Sequence, residues 1–143
     1  MNHIQSPRTC DSAIEQEIQA KGLTAPRITP ADIQANIASE HYFTAYEGIA
    51  GAELERKILA TEESFIVNTG FRQRLKPAGP LCLLTFCVLV LKNGFTVTGE
   101  SACASPENFD AEIGRKIARE NAVQKVWPLM GYQLRQTLHE SQQ

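Results

Sequence analysis

The stretch "LCLLTFCVLVLKNGFTVTGESAC", residues 81–103, constrains the fold more than any other part of the chain. Its first half is an apolar run rich in branched and aromatic side chains, the pattern of a strand buried on both faces. The run is about half of the roughly 20 residues needed to cross a bilayer, so it reads as a strand and not as a membrane span. It leads straight into Asn93-Gly94, the preferred dipeptide of a two-residue hairpin turn. The return strand alternates, with Phe95, Val97, Gly99, Ser101 and Cys103 on one face and Thr96, Thr98, Glu100 and Ala102 on the other. One side of the hairpin is therefore rich in hydroxyls.

A lone hairpin is marginal in water, so helices must cover it. In "ITPADIQANIASEHYF", Thr29 is an N-cap, Pro30 suits the first helical position, and Ile33, Ile37 and His41 recur every four residues, which predicts a helix over 30–41. Ser105 and Pro106 open a second helix over 106–126, with Glu107 and Asp110 placed to complement its dipole. Along it Phe109, Ile113 and Ile117 form one stripe, and Ala111, Gly114, Ala118 and Ala122 form a second stripe of small residues bordered by Arg115 and Arg119. Pro128 disfavours helical geometry at Trp127, which predicts a kink and then a last helix over 128–139 with Met130, Leu134 and Leu138 on one face.

Residues 44–80 carry weaker signals around several Gly and Pro: a short helix at "AELERKILA" and a short strand at "SFIVN". Residues 1–27 read as a flexible arm or a docking helix, in which Asp11 or Ser12 would cap and Ile14 and Ile18 lie one turn apart. The expectation is an α+β fold: one domain over 28–143, built on a small antiparallel sheet with helices laid over it. The doubly apolar strand and the small-residue stripe, which admits close approach, further imply completion by a second copy of the chain.

With 14 basic against 16 acidic residues, the chain lacks the positive excess needed to hold a nucleic-acid backbone, so neither DNA nor RNA is an expected partner. The four cysteines form no CxxC pair, and "MNHIQSPRTCDSAIEQ" lacks an apolar secretory core, which points to reduced thiols in a cytoplasm. No metal site or other cofactor is expected: His3, His41 and His139 are far apart in sequence, and an odd step separates Cys82 from Cys87, putting them on opposite strand faces. Only distant folding could bring His41 or His139 to Ser101 or Cys103 as a base, and Glu107, Asp110 and Glu112 are acids where helix starts favour them. A binding protein, not an enzyme, is the resulting expectation.

Arg115, Lys116 and Arg119 are the anion-binding candidates, although Glu112 is also well placed to pair with them on a solvated helix face. Two helices meeting at the small stripe would put arginines from both copies at the edges of one cleft. Phe95, just after the turn, is either a core residue or a stacking platform, and Thr96, Thr98 and Ser101 could hydrogen-bond ribose or phosphate oxygens.

Together "FCVLVLKNGFTVTGESACASPENFDAEIGRKIARENAVQKVWPLMGY" and "ITPADIQANIASEHYFTA" resemble the core of a family of small tailed-phage and prophage proteins that includes the Thoeris anti-defence protein one group. The resemblance implies a sponge that binds cyclic ADP-ribose isomers made by TIR-domain enzymes and holds them without cleavage in the host bacterial cytoplasm. It further implies a dimer or hexamer, with separate sites for the cyclic di- or trinucleotides of CBASS-type defence. Carried over by position, the ligand residues would be Phe95, Thr96, Thr98, Ser101, Asn108, Arg115, Arg119 and Asn121, with Arg56, Arg72 and Arg74 as basic candidates for a second site. The rival readings are a nucleotide hydrolase and a structural or regulatory phage protein with no nucleotide ligand.

Overall fold

The computed structural model describes residues 10–60 and 79–143. The elements run α1 (Cys10–Ala20), α2 (Pro30–Asn36), β1 (Ile37–Thr44), α3 (Ala45–Ala60), a 3-10 turn (Pro80–Leu83), β2 (Leu84–Leu91), β3 (Thr96–Ala102), a second 3-10 turn (Pro106–Asn108) and α4 (Ala111–Glu140). The sheet is antiparallel in the order β1-β2-β3, so the fold is α+β as expected and the apolar strand is its centre. The "SFIVN" segment, Arg72 and Arg74 lie outside the described residues.

The hairpin forms with a longer loop than the two-residue turn expected. Leu91 N–H donates to the Phe95 carbonyl and Gly94 N–H to the Leu91 carbonyl, both at 2.8 Å, which leaves Lys92, Asn93 and Gly94 as a three-residue loop. Gly94 takes φ 84°, a left-handed conformation that costs glycine nothing. The Asn93 carboxamide oxygen accepts from Phe95 N–H at 3.0 Å and pins the strand that leaves the turn.

Alternation along β2 sorts its side chains into two sets. Thr85, Cys87, Leu89 and Leu91 are buried under α4, whereas Leu84, Phe86, Val88 and Val90 are half-buried on the other face. Register places Val97 beside Leu89 and Gly99 beside Cys87 on the helix side, where Ala118, Ala122 and Val126 of α4 complete the core with Ile33. On the opposite face Phe43 stacks on Phe86 with ring centroids 5.4 Å apart. The hydroxyls of Thr96 and Thr98 are exposed.

The small-residue stripe has a use other than the one expected. A Cβ at Gly99 would lie 2.9 Å from Ala122 Cα and closer still to the Ala118 carbonyl oxygen and the Ala122 nitrogen, so α4 rests directly on the backbone of β3. Gly114 similarly faces Thr85. The stripe thus admits the chain's own sheet, and the inference that a second copy packs there is corrected. Ala111, at the start of the helix, is exposed and takes no part.

Two helix expectations also change. The helix predicted over 30–41 stops at Asn36, and Ile37 and His41 belong to β1. A four-residue recurrence of apolar positions fits a strand equally well, because four is also a multiple of two. β1 satisfies one edge of β2, whose backbone groups would otherwise lack partners. The start of α2 is as expected: the Thr29 hydroxyl accepts from Asp32 N–H while the Asp32 carboxylate accepts from Thr29 N–H, a reciprocal cap that holds the Asp32 carboxyl below its usual range.

The division of 106–126 from 128–139 does not occur: one helix of 30 residues runs through with Pro128 inside it. Proline removes a bond to the residue four positions earlier, but Pro128 and Gln124 are both exposed, so water can serve the freed carbonyl. Its start is later than expected too. Pro106–Asn108 form the separate 3-10 turn, Ser105 makes no side-chain cap bond, and the Asp110 carboxylate caps α4 by accepting from Ile113 N–H at 2.9 Å.

Within residues 10–27, α1 is tied to the link that follows it. Arg27 at the end of the α1–α2 link forks onto both carboxylate oxygens of Glu15 at 2.5 and 2.6 Å. "AELERKILA" falls within the longer α3, which buries none of its residues.

Candidate functional site

At about 1.5 Å per residue α4 is about 45 Å long, whereas the seven residues of β3 span about 24 Å. The last turns of α4 consequently run past the hairpin tip. Between them lies a cavity of about 350 Å³, within the range of small-molecule sites. Leu91, Leu129 and Met130 provide its apolar wall, and two rings stand at it: Phe95, 54% exposed, and Tyr132, 74% exposed. Asn36, Asn93, Gln133, Gln136 and Thr137 supply its polar groups.

Those polar groups are only partly engaged. Asn93 spends its oxygen on Phe95 N–H and keeps its amino group free. Gln136 donates to Glu140 at 2.7 Å and keeps its oxygen free, and Thr137 donates to the Gln133 carbonyl at 3.1 Å. The carboxamides of Asn36 and Gln133 make no hydrogen bond among the described residues. The cavity therefore offers free donors and free acceptors at once, beside aromatic faces, with no charged side chain in its lining.

The expected ligand residues do not converge within one protomer. Phe95 lies at this cavity, while Thr96 and Thr98 point to the open sheet face and Ser101 lies opposite Thr85 on the helix side. Asn108 is exposed on its 3-10 turn. Asn121 donates to the Glu100 carbonyl at 2.7 Å, tying α4 to β3. Arg56 pairs with Glu53 on α3 at 2.6 Å. Arg115 is exposed and makes no ion pair or side-chain hydrogen bond among the described residues, but it lies about 27 Å along the helix from Gln133.

Arg119 is a fastening, not a free anion ligand. Its Nε and Nη2 both donate to Glu40 Oε1, at 2.9 and 2.7 Å, and Nη2 also donates to Gln34 Oε1 at 2.6 Å. Glu40 accepts in addition from the Tyr42 hydroxyl at 2.7 Å. This network joins α4 to α2 and β1 and lies over the buried Cys87, whose thiol burial pushes above its ordinary value. Burial, then the bond to Glu40, likewise raises the Tyr42 phenol. Within one protomer, then, Arg115, Arg119 and Phe95 do not meet at one cleft.

The fastening has a pH signature. The Arg119 guanidinium holds the Glu40 carboxyl below its usual value against the opposing effect of burial. A depressed carboxyl contributes stability that is fully present above its unfolded pKa, near 4.5, and is lost as pH falls through the folded value. Denaturant melts of Glu40→Gln should show about 1 to 2 kcal/mol less stability than wild type at neutral pH, the gap closing toward pH 3. A gap unchanged across that range would contradict the pairing.

Tyr132, Gln133, Gln136 and Asn36 were not expected at a site. The available signal was Leu129, Tyr132 and Gln136, at helical spacing of three and four, a second stripe with an aromatic in it. Among the described residues no group of three His, Cys, Asp or Glu side chains could hold a metal ion, and no helix is long and apolar enough to cross a membrane.

A family model described as "Phage protein (N4 Gp49/phage Sf6 gene 66) family" matches residues 28–138. No curated protein and no solved structure matches.

Proposed function

Because the chain belongs to the N4 Gp49/phage Sf6 gene 66 family of phage proteins, we propose that it acts in the host bacterial cytoplasm as a sponge for cyclic nucleotide immune signals. The signal is a cyclic ADP-ribose isomer of TIR-domain origin or a cyclic di- or trinucleotide of CBASS-type defence, bound and withheld without cleavage. The observation that carries this reading is the cavity at the hairpin tip, where Phe95 and Tyr132 stand beside free carboxamides. Aromatic faces and unpaired amides are the means by which a protein holds a nucleotide base. Incubation with a cyclic ADP-ribose isomer, followed by heat denaturation, should raise the melting temperature and return the ligand intact. A new product would make the protein a hydrolase, and no shift with any cyclic nucleotide would make it an interaction protein.

Assembly with further copies belongs to the same proposal. Ile113 and Ile117 lie uncovered on α4, and Ile49, Leu54, Ile58 and Leu59 lie uncovered on α3, the last at 79% exposure. So much apolar surface, on α3 at one face of the sheet and on α4 at the other, favours burial against further copies. Sedimentation should give a dimer or larger, and a single species of 15.8 kDa would refute it.

A further inference from the structure

Resting on that binding reading, we propose that the hairpin-tip cavity takes only the uncharged heteroaromatic base of its ligand and leaves every phosphate outside. The lining contains no Lys, Arg, Asp, Glu or His. An anion drawn into it would give up part of its water and meet no cation in the lining, an unfavourable exchange. Neither candidate arginine can compensate: Arg115 lies about 27 Å away along α4, and Arg119 is committed to Glu40 and Gln34.

The polar groups present suit a neutral ring edge. Asn93 keeps a donor, Gln136 keeps an acceptor, and Asn36 and Gln133 keep one of each, so a base that both donates and accepts in its plane finds partners for both. Phe95 and Tyr132 offer faces on which that plane can stack. Leu91, Leu129 and Met130 close the apolar side. Recognition built this way involves no ion pair and should be insensitive to salt.

Adenosine is the direct probe, since it carries the base and no phosphate. Calorimetric titration should detect saturable binding whose affinity is unchanged between about 50 mM and about 500 mM sodium chloride. Tyr132→Ala and Gln133→Ala should each weaken it by about tenfold, while Tyr132→Phe, which keeps the ring, should bind nearly as wild type. Both side chains are exposed, so melting curves of the variants should overlay that of wild type. Absence of adenosine binding, steep salt dependence, or affinity unmoved by Tyr132→Ala would each overturn the inference. The two proposals fail separately: a cyclic ADP-ribose isomer that binds where adenosine does not removes this one alone, and adenosine that binds where no cyclic nucleotide does removes the sponge alone.

Discussion

Gly99→Ala is expected to unfold the protein or leave it barely stable. The added methyl would meet the Ala118 carbonyl oxygen, the Ala122 nitrogen and the Ala122 Cα, the last at 2.9 Å. These are backbone atoms of a 30-residue helix and cannot rotate aside as a side chain would. Relief requires lifting α4 off the sheet, which uncovers Cys87, Leu89, Val97 and Val126 together. Overpacking typically costs about 1 to 3 kcal/mol, and a clash with rigid backbone belongs at or above the top of that range, against a total stability of about 5 to 15 kcal/mol. Gly114→Ala is the matched comparison: its methyl would meet the Thr85 hydroxyl at 3.1 Å, a group that can turn away, so the loss should be smaller. Equal melting temperatures for wild type and Gly99→Ala would mean that α4 does not rest on β3 as described.

That contact also explains which parts of the fold were legible. A run of branched residues followed by Asn-Gly and an alternating return admits few readings, and β2 and β3 form within the expected hairpin, except that Leu81, Cys82 and Leu83 belong to the 3-10 turn before β2. The helical stripe of Gly114, Ala118 and Ala122 was equally plain as a surface of close approach. What periodicity could not supply was the approaching partner, because a stripe of small residues fits a sheet as well as a second helix. Ile33, Ile37 and His41 failed for a related reason: a spacing of four satisfies both periods, and only the unpaired edge of β2 decides for a strand. Local propensity at Pro128 favours a break, but its exposure and that of Gln124 let the helix continue through it.

Of the residues lining the candidate cavity, one stands out in the sequence. Phe95 was singled out because it follows the turn, and the turn brings it beside α4. The partners that give it a cavity come from residues nearly forty positions later, and they meet it only because α4 continues past Pro128. A helix broken there would have turned Tyr132 and Gln133 elsewhere. Arg119 is the opposite case: an arginine bordering a small stripe looks free in the sequence, but Glu40 and Gln34, on the two elements that periodicity joins into one helix, bind it within the chain.

Phe95→Ala is expected to weaken binding of a cyclic ADP-ribose isomer by ten- to a hundredfold while leaving the melting temperature nearly unchanged. Stacking on an aromatic ring is worth about 1 to 3 kcal/mol per base, and each 1.4 kcal/mol is about tenfold in affinity. The ring can be removed cheaply because it is 54% exposed and lies outside the buried core of Leu89, Val97 and Val126. Had Phe95 been a core residue, the same substitution would cost about 3 to 5 kcal/mol of stability and impair binding only through unfolding. Arg119→Ala should behave in the reverse way, lowering stability through the loss of Glu40 and Gln34 contacts while leaving the cavity intact. Calorimetric titration beside melting curves for the two variants separates a ligand contact from a fastening. Unchanged affinity in Phe95→Ala together with lost affinity in Arg119→Ala would reverse both assignments and move the site to the middle of α4.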